Sequence, residues 1–97
     1  MPAIPPRRSL LFAPASRPEL LAKALRADAD IVCADLEDAV GAADKDGARG
    51  HGIEFLLGAE PLIERALRIN SLSTSAGLRD MLALQETAVA GGIVCLP

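Results

Sequence analysis

The chain has no tryptophan and no tyrosine, and only two phenylalanines, Phe12 and Phe55. A core has to be assembled from Ala, Leu, Ile and Val, which suits helices laid on a parallel sheet. It has one histidine, His51, set between Gly50 and Gly52, and no G-x-S-x-G segment, so nothing is present from which to build a Ser/His/Asp triad. His51 reads as a surface residue. The two cysteines, Cys33 and Cys95, sit in apolar runs without zinc-site spacing and are expected to be reduced, buried thiols. Basic residues are not in excess: the net charge of −3 leaves no electrostatic footprint for nucleic acid. No apolar run reaches the length of a membrane span. Arg7 and Arg8 precede a short apolar stretch that breaks at Pro14, too soon for an export signal. A cytoplasmic protein, with no membrane partner, is expected.

What is present is a single domain's worth of chain, 97 residues, half of them hydrophobic (51%). Residues 1–7 hold three prolines and read as an irregular leader. Residues 9–13 form a short apolar run suited to a buried strand. Ser16 and Glu19 have the spacing of a capping box opening a helix over 18–27. Residues 29–36 run apolar without alternation, as a strand covered on both faces does. A second helix over about 43–57 is weakened by Gly47, Gly50 and Gly52, roughly 1 kcal/mol each relative to Ala. A third strand over 63–69 contains Arg65 and Arg68. Ser73, Thr74 and Ser75 are alternative caps for a third helix carrying Leu78, Met81, Leu82 and Leu84, and residues 92–97 read as a fourth strand.

Strands alternating with helices imply a parallel α/β sheet with right-handed crossovers. Two architectures fit: an open doubly wound sheet, or the N-terminal half of a (β/α)8 TIM barrel. No G-x-G-x-x-G follows the first strand, which weighs against dinucleotide binding. In either case ligands gather at the carboxyl ends of the strands. That rim carries Phe12, Pro14, Ser16 and Arg17 after strand one, Asp35, Glu37 and Asp38 after strand two, and Arg68 and Asn70 after strand three. Three carboxylates within four residues repel one another unless a cation, an arginine or protonation relieves them, and hard oxygen ligands suit magnesium. The alternative is that Asp35 caps a turn while Glu37 and Asp38 are solvated. Arg68 is either paired internally, with Glu37 or Asp38, or free to grip a substrate carboxylate. Arg17 opposes the dipole of its own helix, which hints at an anionic partner.

The stretch from Arg8 to Glu19 (RSLLFAPASRPE), the stretch from Ala29 to Val40 (ADIVCADLEDAV), Leu67 to Asn70 (LRIN), Gly77 to Asp80 (GLRD) and the closing GIVCLP resemble, in order, motifs of the citrate lyase β-subunit / malyl-CoA lyase family, which is HpcH/HpaI aldolase-like. DLEDAV is the most specific of these, and residues 41–64 match least. The resemblance implies the N-terminal half of a (β/α)8 barrel, about four parallel strands and three helices, with residues 1–97 a partial barrel domain ending after its fourth strand. It implies a magnesium-dependent carbon–carbon lyase that acts on a citryl-, malyl- or citramalyl-type acyl-CoA or thioester through a metal-stabilised enolate, assembled as a homo-oligomer, trimer or hexamer. By the same resemblance Arg68, Glu37 and Asp38 are the catalytic set, and Phe12, Arg17, Lys23 and Arg68 contact the substrate. Glu37 and Asp38 lie in or near the outer coordination sphere of Mg2+, whose direct ligands come from later strands beyond Pro97. Ala15 stands where the family usually has glycine. A second reading is a non-catalytic chain: a truncated product, or a module that binds an anion or CoA through Arg17, Arg68 and a helix N-terminus.

Overall fold

The computed structural model describes residues 8–58, 60–87 and 93–97. They form, in strict alternation, β1 (Leu10–Pro14), α1 (Pro18–Leu25), β2 (Ile31–Asp35), α2 (Lys45–Leu57, entered through a 3-10 turn at Ala42–Asp44), β3 (Glu64–Arg68), α3 (Ser75–Thr87) and β4 (Ile93–Cys95). Every pairing is parallel and the sheet order is β1-β2-β3-β4. A sheet that follows chain order without doubling back is built like the first half of a (β/α)8 barrel, whereas a doubly wound sheet reverses at a switch point. The leader expected at 1–7, residue 59 of the expected break and Gly92 of the fourth strand lie outside the described residues.

The pleat sends alternate side chains to opposite faces. Ala13, Val32, Ala34 and Leu67 face the helices and close a core with Leu21 and Ala24 of α1 and Ala48, Phe55 and Leu56 of α2. Complete burial of Leu36 and Leu67 contributes ~1.5–3 kcal/mol each. The other face, concave in a barrel, receives Leu10 and Phe12 from β1, Cys33 and Asp35 from β2, and Ala66 and Arg68 from β3. Cys33 is buried as expected, but Cys95 near the sheet edge is only half-buried; both are free thiols.

Local sequence explains how each helix begins. α1 starts with Pro18, whose missing N–H costs nothing in the first turn. Its N-cap is therefore Arg17, which makes no side-chain cap bond, and the expected Ser16/Glu19 capping box does not form. Glu19 falls one position short of the reach required and pairs with the Arg17 guanidinium instead. α2 forms despite its glycines. At Gly52 a Cβ would come within 2.8 Å of Leu67 Cδ1 and 3.2 Å of Leu36 Cδ2, so the bare backbone lets the helix settle on the sheet. Of the three candidate caps for α3, Thr74 is used: its Oγ1 accepts the Gly77 N–H at 3.1 Å. The residues α3 buries are Gly77 and Asp80, with Leu84 packed against the core, while Leu78, Met81 and Leu82 are exposed.

Candidate functional site

β2 and β3 end side by side, and the parallel register makes Asp35 and Arg68 direct neighbours on the concave face. The two side chains meet as a fork. Arg68 Nε donates to Asp35 Oδ1 at 3.0 Å and Nη2 donates to Oδ2 at 2.7 Å, the planar match that favours arginine over lysine. Asp35 also folds the turn that follows it, accepting the Glu37 N–H on Oδ1 at 2.9 Å and the Ala39 N–H on Oδ2 at 3.2 Å. The internal partner of Arg68 is thus Asp35, not Glu37 or Asp38 as the sequence suggested. The reason is geometric: Asp35 is the last residue in register, whereas Glu37 and Asp38 already lie in the turn. Burial pushes the Asp35 carboxyl up, but the Arg68 hydrogen bonds and the two backbone N–H groups outweigh it and hold it below the ordinary aspartate value. Its hydrogen bond to Asp35 in turn holds Arg68 above the usual guanidinium value.

The Arg68 guanidinium also lies over the Phe12 ring, 4.7 Å from its centroid. With one edge on Asp35 and one face on Phe12, the group is fixed in orientation. Its Nη1 donates to nothing among the described residues. Beside this pair, Glu37 is half-buried and Asp38 exposed. Neither makes a side-chain hydrogen bond or ion pair among the described residues, though Glu37 adds to the field on Arg68.

The other expected contacts are dispersed. Lys23 is exposed and shares with Phe12, Leu11 and Leu20 a shallow cleft of about 280 Å³. Arg17 lines a different cleft of about 350 Å³, with Ser16, Asp44 and His51. The anion that Arg17 meets is its neighbour Glu19. His51 is exposed, as expected. A roomier cleft of about 790 Å³, lined by Arg26, Asp28, Asp30 and Glu64, lies at the opposite, N-terminal end of the strands, away from this rim. The structure therefore gathers Phe12, Asp35 and Arg68, with Glu37 and Asp38 on the following turn and Lys23 flanking, and leaves Arg17 apart.

A polar network behind the rim was not anticipated. Lys45, the first residue of α2, donates from Nζ to the carbonyls of Leu36 at 3.1 Å and Glu37 at 3.0 Å, and to Asn70 Oδ1 at 2.5 Å. Asn70 gives its backbone N–H (2.9 Å) and Nδ2 (2.7 Å) to Asp80 Oδ2. Asp80 Oδ1 accepts from Arg49 Nε at 2.7 Å, and Arg49 Nη1 reaches Asp46 Oδ1 at 2.9 Å. The one advance sign is that Lys45 and Arg49, at i and i+4, place two cations on the same face of α2.

As for a metal, no group of three or more His, Cys, Asp or Glu side chains capable of holding one is found among the described residues. Asp35 already accepts from four donors, which leaves Glu37 and Asp38. Magnesium takes one or two protein carboxylates and keeps several waters. By themselves these two carboxylates do not form a metal site among the described residues. No helix among the described residues is long and apolar enough to cross a membrane.

The HpcH/HpaI aldolase/citrate lyase family model matches residues 8–94. The chain is 40% identical over 88 residues to an L-malyl-CoA/beta-methylmalyl-CoA lyase of Cereibacter sphaeroides, covering 90% of this chain and 28% of that protein. It is 36% identical over 86 residues to the citrate lyase subunit beta of Haemophilus influenzae, covering 86% of this chain and 29% of that one. Among solved structures it is similar to CitE from Mycobacterium tuberculosis in complex with magnesium, acetoacetate and coenzyme A, with a TM-score of 0.73, 40% identity, and coverage of 95% of this chain and 33% of that one. It is also similar to RipC from Yersinia pestis, with a TM-score of 0.70 and 39% identity over 93% of this chain and 34% of that one. The chain spans less than a third of the length of the curated relatives it matches. With the match running through nearly all of the described residues and the strand order agreeing with it, the chain belongs to the HpcH/HpaI aldolase/citrate lyase family.

Proposed function

We propose that the protein is a magnesium-dependent carbon–carbon lyase acting on a citryl-, malyl- or citramalyl-type acyl-CoA or thioester, and that residues 1–97 form the part of its barrel domain that grips the substrate. The observation that carries this reading is the fixed Arg68. Its guanidinium is oriented by the Asp35 fork and the Phe12 ring at the carboxyl end of β3, and its remaining Nη1 is directed to no protein acceptor among the described residues. Such a group takes a substrate carboxylate or carbonyl oxygen without reorganising, the condition under which a charged donor is most effective. Phe12 and Lys23 border the approach, and Arg17 reaches the more distant part of a long thioester. Glu37 and Asp38 would help hold Mg2+ through its waters, and the ion would supply Lewis-acid polarisation of a substrate oxygen. Relatives named as lyases, and a neighbour solved with magnesium and coenzyme A, support this reading. A cytoplasmic homo-oligomer completes the reading, the free thiols being suited to a reducing compartment.

The test is cleavage of malyl-, citramalyl- and citryl-CoA by the full-length protein, with Mg2+ and with EDTA. Turnover that depends on the metal is expected. Arg68→Lys, which loses the fork and the stacking, should lower kcat/KM by about 10²–10³-fold. Metal-independent CoA binding without cleavage would instead favour an anion- or CoA-binding module.

A further inference from the structure

We infer that Lys45 is a positioning residue for the substrate-gripping rim, acting by clamping the peptide units on either side of Glu37. The inference rests on the reading of Glu37 as a site residue. The peptide unit joining Leu36 and Glu37 is held from both sides by opposite charges. Its N–H donates to Asp35 Oδ1 at 2.9 Å, and its carbonyl accepts from Lys45 Nζ at 3.1 Å. The next carbonyl, that of Glu37, accepts from the same Nζ at 3.0 Å. A single ammonium thus fixes two consecutive carbonyls, and with them the direction in which the Glu37 side chain leaves the backbone.

The third ammonium proton goes to Asn70 Oδ1. An ammonium has three protons, and here each one has an acceptor in the protein. Lys45 is therefore committed to the scaffold and is no contact for a ligand. Asn70 follows β3 two residues after Arg68, so the clamp ties the turn after β2 to the segment after β3. Asn70 is itself held by Asp80, and Asp80 by Arg49 one helical turn beyond Lys45. Through this chain α2 sets the spacing between the carboxylate turn and the arginine it serves. A misplacement of a positioned group by about 1 Å costs on the order of 10²-fold in rate.

The test compares the full-length protein with Lys45→Met, which keeps the length of the side chain and removes its donors, and with Lys45→Arg, which restores charge and donors. Amide hydrogen exchange is followed in residues 36–40 and in β2, alongside kcat and KM for the thioester. In Lys45→Met, exchange at 36–40 is expected to rise at least about ten-fold more than in β2, and kcat to fall about 10–100-fold with a smaller change in KM. Lys45→Arg should recover most of both. Exchange that rises equally at 36–40 and in β2, or not at all, overturns the proposal, since Lys45 would then be a general stabiliser or dispensable. If Lys45→Met does not fold, Lys45→Gln, which retains a neutral donor, is measured in the same way. A wild-type protein that cleaves no thioester sinks the lyase reading alone; the exchange comparison still decides whether Lys45 holds the turn.

Discussion

At the scale of single residues, Asp35 has the most to lose. It is buried, it closes a turn with two backbone N–H groups, and it is the counter-charge of Arg68. Asp35→Asn leaves a largely enclosed guanidinium with a neutral, half-matched partner, and should lower stability by about 2–3 kcal/mol, measurable as a shift in the urea midpoint. The same pair gives stability a pH dependence of defined sign. Because the folded-state value of Asp35 is depressed, the unfolded chain binds more protons between the two values. Its contribution is complete above the ordinary aspartate value of about 3.9 and is lost as pH falls through the lower, folded value. Urea midpoints measured from pH 5 downward should fall more steeply for the wild type than for Asp35→Asn; parallel curves would contradict this.

At the scale of elements, apolar runs marked the strands and spaced apolar residues with cap candidates marked the helices. Burial on a two-sided sheet accounts for the run in β2, whereas Leu10, Leu11 and Phe12 of β1 and Leu78, Met81 and Leu82 of α3 are exposed among the described residues. What stayed hidden were contacts decided by close approach in space. Sequence makes Gly52 a weak point in α2, whereas in the fold it is where the helix meets Leu67 and Leu36. Likewise the DLEDAV segment marked Asp35, Glu37 and Asp38 as a group, but only the strand register shows that Asp35 pairs with Arg68 while the other two remain in the turn. Lys45, Asn70 and Asp80 lie on three separate segments, so no local pattern could join them. The entry to α3 offers a sharp test of such close approach. A Cβ at Gly77 would lie 2.0 Å from Ser71 O and 2.7 Å from Asn70 O, both backbone atoms that cannot rotate away. Gly77→Ala should therefore cost about 3 kcal/mol or more, seen as a lower thermal midpoint. It should also disturb the amide resonance of Asn70, which the neighbouring Asp80 holds.

At the scale of the whole molecule, the order β1-β2-β3-β4 brings Asp35 and Arg68, the last residues of β2 and β3, side by side and leaves the outer edges of β1 and β4 unpaired within the described sheet. Leu10 and Phe12 on the concave face, and Leu78 and Leu82 on α3, are exposed. Edges and apolar faces of this kind invite pairing with further chain. The 97 residues expressed by themselves should associate, so that sedimentation velocity shows species heavier than a monomer at micromolar concentration; a monomer throughout would contradict this. Cys33 lies inside the same sheet, fully buried, its thiol pushed up to about 12 by burial first and by the neighbouring Cys95 and Asp35 after it. A thiol so enclosed and so reluctant to ionise is almost inert to alkylating reagents until the strands part. The protein thus carries its own clock for opening. Labelling of Cys33 by iodoacetamide, a reagent slow beside reclosing and read here by mass spectrometry, should advance in proportion to the fraction of time the sheet is open, and any substitution that loosens β2 should make it run faster.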